Sequence, residues 1–307
     1  MKKVGIYFHP QWRAAHAFAH DLKVLLESRV EEVWLASAWN EEAAHANIEG
    51  TDLLVCVGGD GTMLWAARSV IPHTVPLLAI NMGRLGFLAE LGAEEALVKL
   101  PSILEGDFRI EERTMVQAEL LAAGDAPGEG SETFHALNDI VLGRGAPGRP
   151  IYVETSVDGR RFSLYRTDAI IVATATGSTG YALSVSGPIL HPEATDLVVV
   201  PVAPHLAAAR ALVLPAAAVV ELRLMAEPDG VLSIDGQVDV DVDVAHGQRL
   251  RIQRSPHVAR LVRLGSLFDY YEALSERLGW LNALGARWRG YGSREPGEND
   301  DLPETVQ

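Results

Sequence analysis

The 307-residue chain carries 26 basic and 41 acidic side chains, a formal net charge of −15, so a polyanion such as DNA would be repelled; no clustered basic stretch offsets that field. Hydrophobic residues make up 48% of the chain and mean hydropathy is +0.09, an ordinary globular composition with no apolar run long enough for a membrane-spanning helix. The length exceeds what one hydrophobic core usually serves, so two domains are expected, and the single cysteine, Cys56, excludes a disulfide framework and points to the reducing cytoplasm.

In chain order, "MKKVGIYFHP" is too short in its apolar part for a secretory signal, and its "KVGIYF" reads as a strand. "WRAAHAFAHDLKVLLESR" has helical spacing, with Phe18, Leu22 and Leu25 on one side. Strands "EVWLAS" and "DLLVCV" follow, then a helix from near Thr62, the buried strand "PLLAIN" and a helix over "AEEALVKLPSIL". Alternating strands and helices, with strands apolar on both faces, predict a parallel sheet between helix layers over residues 1–107. From Phe108 the rhythm changes. "RIEERTMVQAELL", "FHALNDIVLG", "PIYVETSVDG", "AIIVATATG", "DLVVVPVAP", "VVELRLMA", "VLSIDGQ" and "RLRIQRS" are short strand candidates without helices between them, which predicts a β-sandwich over 108–265. Between them "AAGDAPGEGSE" reads as a polar hairpin tip. Leu267, Tyr270, Tyr271, Leu274, Leu278 and Leu281 recur at helical spacing, giving a helix over 266–290 expected to return to the first domain, with a dimer helix as the alternative. Residues 291–307 are acidic and nearly without apolar side chains, so disorder is expected there.

The chemistry concentrates at strand ends. In "LLVCVGGDGTML", an apolar strand stops at Gly58 and Gly59, and Asp60 stands between glycines. The carboxyl edge of a parallel sheet is where α/β proteins bind ligands, and a helix start offers unpaired N–H groups. Gly58, Gly59, Gly61 and Thr62 therefore suit a phosphate cradle. Asp60 does not suit it by charge. It becomes sensible if it bridges through Mg²⁺ or takes a proton from an attacking hydroxyl; alternatively it merely caps the helix. "TATGSTGYALSVSGP", Thr174 to Pro188, follows another apolar strand; Ser178, Thr179, Ser184 and Ser186 with Tyr181 could bind sugar hydroxyls, phosphates and a flat ring, or form an ordinary loop. Asn138 and Asp139 fall inside an apolar stretch, where one of two adjacent polar residues should face the core or a ligand; a strand-end turn is the plainer alternative.

Other patterns fail their context. "GRGAPG" matches G-x-G-x-x-G but leads into a strand, His16 and His20 lack a third metal ligand, "GSTG" lacks G-x-S-x-G spacing, and no P-loop signature occurs.

The order "GGDGT", "GRLGFLAE", "LNDIVL", "ATGSTGYALSVSGPIL", Pro204-His205 and "DGQ" at Asp235 to Gln237 resembles the NAD kinases. The first motif is shared with lipid kinases and loosely with phosphofructokinases; the long serine/threonine/glycine motif with a later "DGQ" is the specific part. The resemblance implies phosphorylation of the 2′-hydroxyl of the adenosine ribose of NAD to give NADP. It further implies ATP or polyphosphate as donor, Mg²⁺ or Mn²⁺, and NAD held in the cleft between an α/β and a β-sandwich domain. On the residues, it implies Asp60 as the catalytic aspartate; no side chain is assigned as a direct metal ligand, Asp60 being the one candidate. Gly61, Phe87, Asn138, Asp139, Gln237 and the segment Thr179, Gly180, Tyr181, Ala182, Leu183 and Ser184 would contact NAD. Arg149, Arg166 and Asp168 would reach the dinucleotide, often across a subunit contact in a homodimer or homotetramer. Gly58, Gly59, Thr62 and Ser178 would serve phosphate. Ala169, Ala175 and Gly180 depart from the family's usual glycine, proline and alanine, and a serine is missing at "AAAR". The competing readings are a lipid or sugar kinase of the wider "GGDG" group and a non-catalytic dinucleotide sensor.

Overall fold

A computed structural model describes residues 1–280 apart from 84–85, 123, 125–127, 129–130, 146–147, 206–208, 227–228 and 266–268. The expected tail and the part of the C-terminal helix beyond 280 lie outside the described residues. Met1–Leu264 forms one compact unit, and Gly265–Gln307 forms a second that includes a helix at Asp269–Arg277.

The first third alternates as expected. It runs β1 (Lys3–Phe8), α1 (Arg13–Glu27), β2 (Glu32–Ser37), α2 (Glu41–Ile48), β3 (Leu53–Gly58) and α3 (Asp60–Ser69). Then come β4 (Pro76–Asn81), the short β5 (Leu91–Gly92) and α4 (Ala93–Glu105). The strands pair in parallel in the order β2-β1-β3-β4. Every residue of β3 is buried, which is why its sequence is a continuous apolar run rather than an alternating one. On α1 the buried stripe is Ala15, Ala19, Leu22 and Leu26, so Phe18 and Leu25 flank the face rather than centre it. Helix α2 was not expected. Asn40 caps it, its side chain accepting from the Ala43 N–H at 3.0 Å, but "EEAAHANI" carries almost no apolar periodicity to announce it.

The strand-rich part comprises β6 (Arg109–Leu121), β7 (Glu132–Ala136), β8 (Asp139–Arg144), β9 (Ile151–Val157), β10 (Arg160–Thr167) and β11 (Ala169–Ala173). After the one-turn helix α5 (Tyr181–Ser184) come β12 (Leu197–Val202), β13 (Leu212–Leu214), β14 (Val220–Ala226), β15 (Gly230–Ile234), β16 (Gln237–Val244) and β17 (Arg249–Arg263). Two sheets result. A six-stranded sheet runs β13-β12-β11-β8-β15-β16. The larger, eleven-stranded sheet runs β10-β9-β14-β17-β4-β3-β1-β2, with β5, β6 and β7 off that path. Strand β17 pairs antiparallel with β6 and β14 and parallel with β4 through Arg260–Pro76 and Leu261–Leu77. One sheet therefore continues across the expected boundary at residue 108. The main β core lies between the sheets: Ile140, Leu142, Ile170 and Val172 from one meet Val116, Val153, Leu222 and Ile252 from the other.

Two hairpins turn on Asp-Gly pairs, Asp158–Gly159 (φ 50° and 72°) and Asp235–Gly236 (φ 55° and 65°). Both central residues are left-handed, the geometry that matches strand twist in two-residue turns. Strands β10 and β16 follow these turns and were not expected; the "DG" signals were present in the sequence.

Candidate functional site

Strand β3 ends at Gly58, and Gly59 stands in extended backbone (φ −118°, ψ −171°) before α3. Asp60 is the first residue of that helix, but its carboxylate caps nothing in it. Instead it crosses to the segment after β4, where the Phe87 N–H donates to Oδ2 at 2.7 Å and the Leu88 N–H to Oδ1 at 3.1 Å. The capping alternative is thereby set aside. A carboxylate fixed by two backbone donors has one orientation, and Gly86 makes room for it: a Cβ there would lie 2.1 Å from Asp60 Oδ1. The other glycines divide. A Cβ on Gly58 would lie 2.2 Å from Thr62 Oγ1, so this glycine lets helix and strand close on each other, whereas Gly59 and Gly61 face open space. Thr62 is 1% exposed, and its hydroxyl has no hydrogen-bond partner among the described residues.

The backbone that clamps Asp60 is tied down from behind. Arg263 donates to the Leu88 carbonyl (3.1 Å), Glu90 Oε2 (2.9 Å) and Glu111 Oε1 (3.1 Å). Glu111 also accepts from Arg113 Nε at 2.7 Å, and Arg113 Nη1 donates to Thr176 Oγ1 at 3.1 Å. Burial pushes the Glu111 carboxyl upward, but the Arg263 and Arg113 cations outweigh it and hold the group below its ordinary range. A buried charge network thus joins the Asp60 clamp to the serine/threonine/glycine turn.

The stretch expected as one strand through Asn138 is broken. Strand β7 ends at Ala136 and β8 begins at Asp139, leaving Asn138 in the bend. Asp235, at the Asp-Gly hairpin, holds this bend: its carboxylate accepts from the N–H groups of Leu137 (3.0 Å), Asn138 (2.6 Å) and Asp139 (3.2 Å). The turn after β11 docks on the same bend. Thr174 donates through its N–H to the Asn138 carbonyl (2.9 Å) and through its hydroxyl to the Leu137 carbonyl (2.6 Å). At Gly177 a Cβ would lie 2.0 Å from the Asn138 oxygen. Burial, then the Asp235 carboxylate, pushes the Asp139 carboxyl up to about 7. Asp235 is raised to about 6, burial prevailing over its three N–H donors and the Arg68 cation.

The two halves meet at a pocket of about 240 Å³ lined by Gly61, Thr62 and Leu64 from α3, Asp235 to Gln237 from the hairpin, and His9, Ala38, Trp39 and Trp65. Gln237 is 9% exposed, and neither atom of its amide has a partner among the described residues; nor has His9 Nδ1.

Asp60, Gly61, Phe87, Asn138, Asp139, Thr179, Gly180 and Gln237 are therefore brought onto connected elements. On α5, Tyr181 and Ser184 are exposed, Leu183 is half-buried, and Ala182 is fully buried against the outer face of the six-stranded sheet. Ser178 is a correction. Its hydroxyl is fully buried, donating to the Ala175 carbonyl (2.6 Å) and accepting from the Leu190 N–H (3.0 Å), so it staples the turn instead of facing phosphate. Arg149, Arg166 and Asp168 are not brought to this place within the chain. Asp168 precedes the start of β11, ~17 Å along the chain from Ala173, and pairs with Arg144 at 3.5 Å. Arg166 lies over Tyr152, 5.9 Å from the ring centroid, and Arg149 is exposed. His16 and His20 form an exposed pair of tilted rings with centroids 4.6 Å apart, and no group of three metal-binding side chains gathers among the described residues. Glu111, Arg113, Arg263 and Gly86 were missed from the sequence; charged residues inside the buried strand "RIEERT" were the available signal.

Comparison with known proteins identifies the family. Residues 4–108 match the ATP-NAD kinase N-terminal domain, and residues 137–264 match the ATP-NAD kinase C-terminal domain. An NAD kinase of Dehalococcoides mccartyi (strain BAV1) is 36% identical over 277 residues, 90% of this chain and 96% of the relative. One from Aromatoleum aromaticum is 45% identical over 229 residues, 75% and 74% of the two chains. The fold resembles the crystal structure of yeast NADH kinase complexed with NADH, with a TM-score of 0.80 at 20% identity, covering 97% of this chain and 90% of the other. It also resembles an NAD kinase from Archaeoglobus fulgidus in complex with ATP, with a TM-score of 0.67 at 26% identity over 88% and 96% of the chains. The chain belongs to the NAD kinase family.

Proposed function

We propose that this chain phosphorylates the 2′-hydroxyl of the adenosine ribose of NAD, forming NADP, with ATP as the donor. The observation that carries the reading is the Asp60 carboxylate, fixed by the Phe87 and Leu88 N–H groups at an open glycine turn, where α3 meets the hairpin that holds Asn138 and Asp139. Asp60 accepts the 2′-hydroxyl proton as the phosphoryl group arrives. Asn138, Asp139, Phe87 and the turn Thr179 to Ser184 hold the dinucleotide, and Gly59 and Gly61 leave room for donor phosphates. Phosphoryl transfer needs positioning and charge stabilisation more than covalent help, so a site built largely of backbone and hydroxyl groups is adequate.

A divalent ion fits this site as a companion of the phosphates. No cage of three His, Cys, Asp or Glu side chains exists among the described residues, so Mg²⁺ or Mn²⁺ would be held by phosphate oxygens and water, with Asp60 reached through a bound water and its carboxylate left available as the base. When bound, the ion offsets the charge of the donor phosphates.

We further propose a cytoplasmic protein. Cys56 is a buried free thiol, raised by burial, and no helix among the described residues is long and apolar enough to cross a membrane. A homodimer or homotetramer through the β domain is supported by exposed Tyr152, Phe162 and Leu164 on β9 and β10, near Arg166 and Asp168. Incubation with NAD, ATP and Mg²⁺ and assay of NADP tests the activity. Light scattering tests the assembly.

A further inference from the structure

Arg263 is the last residue of β17, the strand that pairs with β6 and β14 and reaches the parallel sheet at β4. It is 8% exposed, and its guanidinium spans three segments of the chain. Nε donates to Glu111 Oε1 on β6 at 3.1 Å, and Nη1 donates both to Glu90 Oε2 at 2.9 Å and to the Leu88 carbonyl at 3.1 Å. Glu90 and Glu111 are carboxylates, and a buried ion pair would ask no more than these. The third acceptor is different. It is a neutral backbone oxygen, on the residue whose N–H donates to Asp60 Oδ1.

Leu88 is thus gripped on both sides of one Cα, its N–H by Asp60 and its C=O by Arg263. Its side chain is 3% exposed, in the core cluster that contains Ala79, Met115 and Leu261. The chain beyond it is fixed as well. The Glu90 N–H donates to the Ala79 carbonyl at 3.1 Å, Leu91 pairs with Ile80, and Glu90 Oε1 accepts the Leu264 N–H at 2.6 Å. On the other side of the clamp stands Gly86, which has no side chain to brace the segment and whose missing Cβ is the room that Asp60 occupies. The aim of the two N–H donors therefore depends on the Leu88 end.

The geometry also explains why this residue is an arginine. The nitrogens of a planar guanidinium point in fixed directions and serve separate acceptors at once, whereas lysine offers a single nitrogen. Glu111 Oε1 accepts from Arg113 Nε too, at 2.7 Å, and Arg113 reaches Thr176. One carboxylate oxygen thereby ties the Asp60 clamp to the turn assigned above to the dinucleotide.

We propose that Arg263 is a positioning residue for phosphoryl transfer: by holding the Leu88 carbonyl it aims the Phe87 and Leu88 N–H groups, and through them the Asp60 carboxylate, at the acceptor hydroxyl. The inference rests on the base role given to Asp60 above. Arg263 touches no substrate in this arrangement, so its loss acts on turnover more than on affinity.

The test uses Arg263→Lys, which keeps the buried cation and gives up the fork. In wild type and variant, kcat and KM for NAD are measured by NADP formation, NAD binding by calorimetry, and hydrogen exchange of the Leu88 and Val55 amides by NMR. Val55, in the buried middle of β3, reports global opening. Arg263→Lys is expected to lower kcat tenfold or more with KM and Kd for NAD within threefold, and to speed Leu88 exchange tenfold or more with Val55 exchange unchanged. Combined with Gly86→Ala, it should cost little more than the worse single variant, because both displace one segment. A wild-type kcat in Arg263→Lys would overturn the proposal. So would a rise in KM for NAD as large as the fall in kcat, equal acceleration of both amides, or losses that multiply in the double variant. Should the wild type form no NADP, or Asp60→Asn turn over normally, the underlying reading fails, while Leu88 exchange still reports whether Arg263 holds the clamp.

Discussion

Asp60 and Gly86 are fitted to each other: the Asp60 carboxyl group occupies the space where any other residue at position 86 would carry its Cβ, 2.1 Å from Oδ1 and 2.4 Å from Cγ. The fit lets the next two N–H groups close on the carboxylate. Gly86→Ala must therefore displace either the carboxylate or the segment. A misplacement of about 1 Å can cost ~100-fold in rate, and a loss of that order in kcat is expected, beyond the smaller loss of NAD affinity that a shift of Phe87 brings. Steady-state kinetics beside a thermal shift with NAD read the two separately.

The buried pair Asp139 and Asp235 gives a pH signature. Both carboxyl groups are raised by burial, to about 7 and about 6, so the folded chain holds protons that the unfolded chain releases near pH 4. Their contribution to stability is fully present below about pH 4 and is lost as pH rises through 6 to 7. His135, lowered by burial and by His257, acts oppositely and loses stability as pH falls. Comparing variants isolates the pair, because they share His135. Asp139→Asn is expected to flatten the fall in melting temperature between pH 5 and pH 8; melting scans at intervals across that range check it. A variant whose decline is as steep as that of the wild type contradicts the assignment.

Much of this was legible in the sequence, for identifiable reasons. Buried parallel strands such as β3 announce themselves as apolar runs, and Asp60 stood out because a carboxylate at a glycine turn needs a reason. The helix α2 escaped because its alanine-rich sequence lacks a periodic apolar face. The bend at Asn138 escaped because what breaks the strand is Asp235, 97 residues away in sequence from the N–H that it binds. Ser178 looked like a ligand donor because composition cannot show which way a hydroxyl turns; its partners, Ala175 and Leu190, are set by the fold. Nor could spacing reveal that β17 extends the parallel sheet into the β-rich half.

Arg113 sits 4% exposed between Glu111 and Thr176. Breaking a buried ion pair from one side costs about 3–5 kcal/mol. Arg113→Met is expected to lower stability by about that amount in urea denaturation and to raise the KM for NAD, since the Thr176 turn loses its tie. A loss of stability below 1 kcal/mol would show the pair to be screened rather than buried.

Gly177 lets the hydroxyl-rich turn lie directly on the Asn138 backbone. A Cβ 2.0 Å from a carbonyl oxygen cannot be accommodated without moving the turn. Gly177→Ala should weaken NAD binding by tenfold or more in calorimetry, whereas Gly59→Ala, with nothing within 4 Å of its Cβ, should leave NAD binding unaltered.

The most direct measurement is NADP formation by Asp60→Asn beside its NAD affinity. The amide keeps the size of the carboxylate and one of its two acceptors for the Phe87 and Leu88 N–H groups but accepts no proton, and general-base catalysis is worth about 10²–10⁴ in rate. NAD binding within a fewfold of wild type, with turnover reduced at least 100-fold, is the predicted result. Turnover near the wild-type rate would contradict proton acceptance by Asp60.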